Sequence, residues 1–321
     1  LKKNPSGQLL LPYLAGAVAF VLPLVSTEPY IMRILTTIFI FASLGVAWNL
    51  VGGYAGQLSL GQSAFFGIGA YTAVLFYLKL NLTPLLGGLM GAGLAVLAAV
   101  LIGLPTFRLR GAYFSLATIA FAEILRILLM YFRDFTGGAN GISLSFKGNQ
   151  PWMLQFYSPV PYYYIALFLL IAAVGAAWRI ERAKFGRYLA AIRENQEAAE
   201  SIGVNSGWYK LLAFIISAVI TSLLGVFYAF YIGFVDPDMV VGLDLSIRIA
   251  VTAIVGGIGY LWGPVVGAIV LIPLAELAST LWGGARAGAN LAFYGFLLMI
   301  VVLFRPQGML SLFTEKGGSS H

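Results

Sequence analysis

Glu123, Arg126, Arg248 and Glu276 are ionisable side chains set inside long apolar runs. A charge at the centre of a membrane span costs roughly 2.5–3.5 kcal/mol on insertion scales, so each needs a partner or water. Glu123 and Arg126 are three apart, share a helix face and can pair. We read them as a buried ion pair tethering helices; a polar lining for a zwitterionic solute is the second reading. Arg248 lies near the outer end of its run, where its head can snorkel. Glu276 follows Pro273, a predicted kink. Carboxylates in such places also serve proton-coupled carriers, which keeps a self-sufficient secondary carrier among the readings.

The stretch Gly56-Gln57-Leu58-Ser59-Leu60-Gly61-Gln62-Ser63 sets two amides and two hydroxyls among glycines. Polar side chains and loosened backbone at membrane depth must be satisfied by protein or water. Gln57, Ser59, Gln62 and Ser63 are therefore candidates to line a translocation path. A polar helix start at the interface is the alternative.

Other chemistry is excluded by counting. The chain has no cysteine, which removes disulfides and thiol catalysis. Its one histidine is His321, after Gly317-Gly318-Ser319-Ser320, so residues 317–321 read as a linker and the start of a tag. His-based triads and zinc sites are excluded, and no catalytic or metal-binding residue is assigned. No lysine sits in a Gly-x-x-x-x-Gly-Lys-Ser/Thr loop. If the chain works with ATP, a separate subunit must bind it.

The elements that hold these residues follow from composition. Of 321 residues, 60% are hydrophobic and only 10% charged, against about 25% charged in ordinary soluble domains. Mean hydropathy is +0.91. The fold class is an all-α polytopic membrane protein without a large soluble domain. Spans need roughly 20 residues. Ten apolar runs fall near 9–26, 34–51, 58–78, 83–104, 112–132, 161–178, 211–233, 245–259, 263–282 and 289–304. The first reads as a retained helix, with no cleavage site after it. The runs 58–78 and 245–259 are flanked by glycines and can be re-entrant or broken, which would leave eight full spans. The chain begins at Leu1, so its native N-terminus is expected upstream.

With ten spans and the N-terminus inside, twelve of the 19 Lys and Arg lie inside and five outside. That bias favours N-in and C-in. It also explains the net charge of +7 without a nucleic-acid partner. Small-xxx-small pairs such as Gly87/Gly91 and Gly263/Gly267 predict close helix packing.

Two loops stand out. Residues 133–160, predicted outside, hold Thr136-Gly137-Gly138-Ala139-Asn140-Gly141. They can cap the helices or meet an external partner. Residues 179–210 are inside, charged and helical in pattern. Phe185, Leu189, Ile192, Ala199 and Ile202 recur at helical steps. Arg193 and Glu197 lie four apart on the polar side and can pair. Gly203 suits a C-terminal cap. Glu194, Glu197 and Glu200 would be repelled by anionic lipid, so this helix fits a protein partner better than a membrane surface.

Glu197-Ala198-Ala199, followed by Gly203, resembles the EAA loop of ABC-importer permeases. The Ile-x-Leu-Pro that usually follows is replaced by Ala213-Phe214-Ile215-Ile216. Leu50 to Tyr71 is similar to the LivM-type permeases of branched-chain amino acid importers. So are Thr136 to Gly141, Phe185-Gly186-Arg187 with Ala191-Ile192-Arg193-Glu194-Asn195, and Gly256-Gly257-Ile258-Gly259 with Leu261-Trp262-Gly263-Pro264. The similarity runs in order along nearly the whole chain.

The resemblance implies a single permease domain over 1–316 in a prokaryotic inner membrane. It implies a LivH-type sister permease, two ABC ATPase subunits that bind ATP and Mg, and an extracytoplasmic binding protein. Phe185, Leu189, Ile192, Arg193, Glu197, Ala198, Ala199, Ile202 and Gly203 would then form the coupling segment that seats on an ATPase. Relatives of such permeases also move urea and short amides.

Overall fold

The computed structural model describes residues 20–23, 28–107 and 111–281, and the single positions 295, 299 and 309. The expected spans 9–26 and 289–304 lie mostly outside the described residues, as do Arg108, Arg110 and 317–321. The described chain is almost wholly helical. Its α-helices are α1 (Pro29–Asn49), α2 (Gln62–Leu80), α3 (Pro84–Thr106), α4 (Ala112–Tyr131), α5 (Arg133–Thr136), α6 (Pro159–Arg182), α7 (Lys184–Glu194), α8 (Gln196–Ser201), α9 (Ser206–Ile232), α10 (Pro237–Val241), α11 (Leu243–Gly256) and α12 (Gly263–Leu281). Seven stretches among the described residues are long and apolar enough to cross a membrane. They are Pro29–Tyr54, α2, α3, α4, α6, α9 and Pro237–Gly256; Gly263–Leu277 is a shorter apolar helix.

Local chemistry explains many of the boundaries. Pro29, Pro84 and Pro159 open α1, α3 and α6, where a missing N–H costs nothing. Asn205 caps α9 by accepting from Trp208 N at 3.0 Å. The helix α1 ends in a π turn, Leu50–Tyr54. It is the most enclosed span, 83% buried, and packs on α6, α11 and α12. A second group joins α2, α3 and α9, with Phe65, Phe107, Phe114 and Phe214 in ring contact. Glycines permit these crossings. A Cβ on Gly69 would sit 2.0 Å from Ser222 O, and one on Gly87 2.7 Å from Ala73 Cα. The small-residue spacing at Gly87 and Gly91 thus serves packing within the chain, both facing α2.

Residues 133–158 cap one end of the bundle. Strands β1 (Ile142–Ser143) and β2 (Phe234–Val235) pair antiparallel there. Gln155 Nε2 donates to Tyr77 OH at 3.3 Å, and Lys79 Nζ lies 3.7 Å over the Phe135 ring. The opposite end carries α7 and α8.

Non-helical backbone interrupts one expected run and immediately precedes another. Between Tyr54 and Gln62 the chain turns back into the bundle as non-helical backbone, and α2 starts inside it. Such backbone at membrane depth survives only if protein satisfies it. Trp48 Nε1 donates to Ser59 O at 2.7 Å, Ser115 Oγ to Leu58 O at 2.6 Å, and Leu60 N to Thr118 Oγ1 at 3.1 Å. The run predicted at 245–259 is continuous helix as far as Gly256, and the break falls just before it at Gly242, whose ψ of 146° separates α10 from α11.

Trp48 is 1% exposed. Trp48→Phe keeps most of the apolar volume and leaves Ser59 O without its donor. We expect a loss of about 1–3 kcal/mol, read as a lower Tm in detergent. An unchanged Tm would show that the indole bond does not hold the turn.

Candidate coupling and translocation sites

At the α7–α8 end, the single amphipathic helix expected from Phe185 to Ile202 is two helices. Asn195 is extended (φ −155°, ψ 105°), and its Oδ1 accepts from Ala198 N at 3.1 Å to cap α8. The break resets the helical phase. Leu189, Ile192 and Ala199 are buried and Phe185 rests on the Tyr209 ring, but Ile202 is 78% exposed and leaves the stripe. Ala199 packs with Ile192 and Val204 inside the chain, so Ala198 is the small residue that faces outward. Glu197, Ser201 and Ile202 share that exposed surface. Gly203 takes φ +90°, and its N–H donates to Glu200 O at 2.9 Å. Lys210, 2% exposed, donates to Gln196 Oε1 at 2.7 Å, which roots α8 on α9.

Arg193 reaches across to the bundle. Its Nη1 donates to Gly53 O at 3.1 Å, and its Nη2 pairs with Glu194 at 2.9 Å. A Cβ on Gly259 would lie 2.6 Å from Nη1, and one on Gly56 3.0 Å from Cγ. Asn49 stitches the same place: its Oδ1 accepts from Gly259 N at 2.9 Å, and its Nδ2 donates to Tyr260 O at 3.0 Å. A Cβ on Gly53 would lie 2.7 Å from Gly259 N, so the segments that follow α1 and α11 meet beside Arg193.

The polar turn before α2 is closed. Ser59, Gln62 and Ser63 have no exposure, while Gln57 is half-buried. Gln62 Nε2 donates to Ser217 Oγ at 2.6 Å and Thr221 Oγ1 at 2.7 Å. Ser63 Oγ donates to Val241 O at 2.8 Å, and Ser63 N donates to Ser246 Oγ at 2.9 Å. In this structure Ser59, Gln62 and Ser63 do not line an open path. They form a seam that ties the turn to α9 and to the broken helix α10–α11.

Glu123 and Arg126 do pair, at 2.5 Å, but the pair is not buried within this chain. Their side chains are 45% and 24% exposed. Arg126 also holds Asp238 of α10 at 2.7 Å, so the pair is a triad. Nor is Arg248 near a helix end. It lies in α11, inward of the break at Gly242, and is half-buried. Glu276 meets Arg33 of α1 at 2.9 Å. Asp236 and Asp238 escaped the sequence reading, although Asp236-Pro237 is a helix-start signal. Asp236 Oδ1 accepts from Met239 N at 2.9 Å as the cap of α10.

These features define a helical, multi-span membrane protein, with an exposed polar surface at one end and a seam of broken helices within. A family model described as the permease component of a branched-chain amino acid transport system matches residues 30–303. The LivM permease of Escherichia coli K12, a high-affinity branched-chain amino acid transport protein, is 32% identical over 87% of this chain and 69% of its own length. The LivH permease of the same organism is 23% identical over 84% of this chain and 91% of its own. A fructose import permease, FruF of Bifidobacterium longum, is 24% identical over 88% and 86%. The chain belongs to this permease family: it is a permease subunit of an ABC importer and a multi-pass protein of the prokaryotic inner membrane.

The triad gives an asymmetric expectation. Glu123→Gln leaves Arg126 with Asp238 and should cost under about 1 kcal/mol. Arg126→Gln leaves two neighbouring carboxylates without their cation and should cost about 1–3 kcal/mol. Tm of the purified complex measures both, and equal losses would contradict a triad centred on Arg126.

Proposed function

We propose that this chain forms half of the membrane path of a branched-chain amino acid importer. A LivH-type permease supplies the other half, an extracytoplasmic binding protein delivers the solute, and two ATPase subunits carrying ATP and Mg drive the cycle. This chain makes no covalent step; its contribution is to open alternately to the two sides. The observation that carries the reading is the α7–α8 end. It offers Glu197, Ala198, Ser201 and Ile202 outward, while Arg193 anchors it to Gly53 at the foot of α1. A rigid contact there gives ATPase closure a route into the bundle. A urea or short-amide permease would share this machinery. A secondary carrier would have no use for the docking surface.

The proposed topology has ten spans with both ends cytoplasmic. The α7–α8 end is the cytoplasmic one and the β1–β2 end the external one. Met309 N donates to Val255 O at 2.9 Å, next to the α1–α11 contact, which supports a C-terminus on the α7–α8 side. The chain lacks cysteine, so introduced cysteines label without background. Asn140→Cys should react with an impermeant thiol reagent from outside, and Ser201→Cys should be spared. Labelling of both, or the reverse, would refute the orientation.

Coupling is tested on the outward residues, since a bulky group at Ala199 would disturb the chain's own packing. Ala198→Trp and Glu197→Lys should leave insertion and pairing with the sister permease intact. In proteoliposomes with the full complex, ATP hydrolysis stimulated by loaded binding protein and uptake should both fall at least tenfold, roughly 1.4 kcal/mol of coupling. Normal rates in both variants would show that α8 is not the docking element.

A further inference from the structure

We infer that Glu123, Arg126 and Asp238, with the buried Tyr71 hydroxyl on α2, the helix packed against α4 and α10, form a binding site for a zwitterionic α-amino acid. The inference rests on the proposed importer function. Its first support is placement. The helix α4 is the least enclosed of the seven spans, with 17% burial, and Glu123 and Arg126 lie past its middle. Side-chain exposures of 45% for Glu123, 24% for Arg126 and 68% for Asp238 direct charge away from this chain's own bundle. Charges at such depth face water or protein, not hydrocarbon.

The second support is electrostatic. Two carboxylates share one guanidinium, so the triad carries a surplus negative charge that an ammonium group would neutralise. Arg126 has five N–H donors. Three go to Glu123 and Asp238, and a fourth meets only Met130 Sδ at 3.4 Å, a weak acceptor. The guanidinium can thus take a solute carboxylate without releasing its own. Each half of a zwitterion finds its complement within one cluster.

The third support is an orphaned group. Tyr71 is 3% exposed and its hydroxyl has no hydrogen-bond partner. It lies within electrostatic reach of Asp236 and Asp238. An unpaired buried hydroxyl is costly, and it becomes a donor to the solute when the site opens toward α2. The site is also tied to the seam: three residues beyond Asp238 on the same helix, Val241 O accepts the Ser63 hydroxyl. A solute at the triad would wait at that seam.

The experiment uses the full importer in proteoliposomes, with leucine-loaded binding protein at fixed saturating concentration and rates normalised to assembled complex. Tyr71→Phe removes only the orphaned hydroxyl; the protein should be as stable or more so, yet leucine uptake should fall about threefold or more. Glu123→Gln and Asp238→Asn each remove the surplus charge while leaving Arg126 one carboxylate. Each should lower uptake at least tenfold with ATP hydrolysis retained. The exchange Glu123→Arg with Arg126→Glu keeps an internal pair and should not restore uptake. Normal uptake in Tyr71→Phe and the two neutralised variants, or full uptake in the exchanged pair, would reduce the triad to a structural tie and overturn the inference. Loss of uptake that merely tracks loss of assembly would do the same. Failure of the unaltered complex to take up leucine would instead overturn the importer reading on which the site rests.

Discussion

Backbone N–H and C=O groups cannot be left unpaired in hydrocarbon, and that constraint organises the centre of this protein. Most of the chain meets it with helices. At residues 55–61 and at Gly242 it does not, and side chains take over. Trp48, Ser115 and Thr118 satisfy the turn before α2, while Ser63 closes onto Val241 O and Ser246. Of the turn's own polar side chains, Ser63 thus substitutes for a missing helical bond, while Gln62 engages the hydroxyls of Ser217 and Thr221 on α9.

Those substitutes differ from helical bonds in one respect that matters for transport. A helix exchanges its ladder only by unwinding, whereas a hydroxyl can rotate from one acceptor to another. Ser63, Ser217, Thr221 and Ser246 form such a group, and Ser59 Oγ and Gln62 Oε1 stand beside it without partners. Two discrete arrangements of a packed seam are the kind of element that switching proteins use. The unpaired atoms mark where this arrangement is incompletely satisfied.

The sequence disclosed features whose cause is local. Apolar runs marked the spans, prolines and Asn or Asp caps marked several helix starts, and glycines around 52–61 marked the broken entry to α2. What it hid depended on distant partners. Gln62 looked ready to line a path because Ser217 and Thr221, which engage its amide, lie some 150 residues away. Arg126 looked like half of a buried pair because Asp238 was not recognised on a helix. In α8 one residue of the stripe was misplaced for a different reason: Asn195 broke the period, and a single stripe drawn through it carried Ile202 inward with Ala199.

Family membership leaves the solute to be settled by side chains, because a fructose import permease is also similar to this chain along most of its length and one fold hosts many specificities. Solute choice and energy input must then be joined through the structure between them. On the reading proposed above, the helix α11 provides that join. It is 14 residues long, about 21 Å of continuous helix. Its upper end follows Gly242 directly after α10, which carries Asp238. Its lower end leads to Gly259, in van der Waals reach of Arg193 and bonded to Asn49. A short rigid rod transmits displacement at one end to the other without needing a chain of intermediates. Movement of α7 against Gly259 would therefore reach Val241 and Ser63, at the closed seam, through α11.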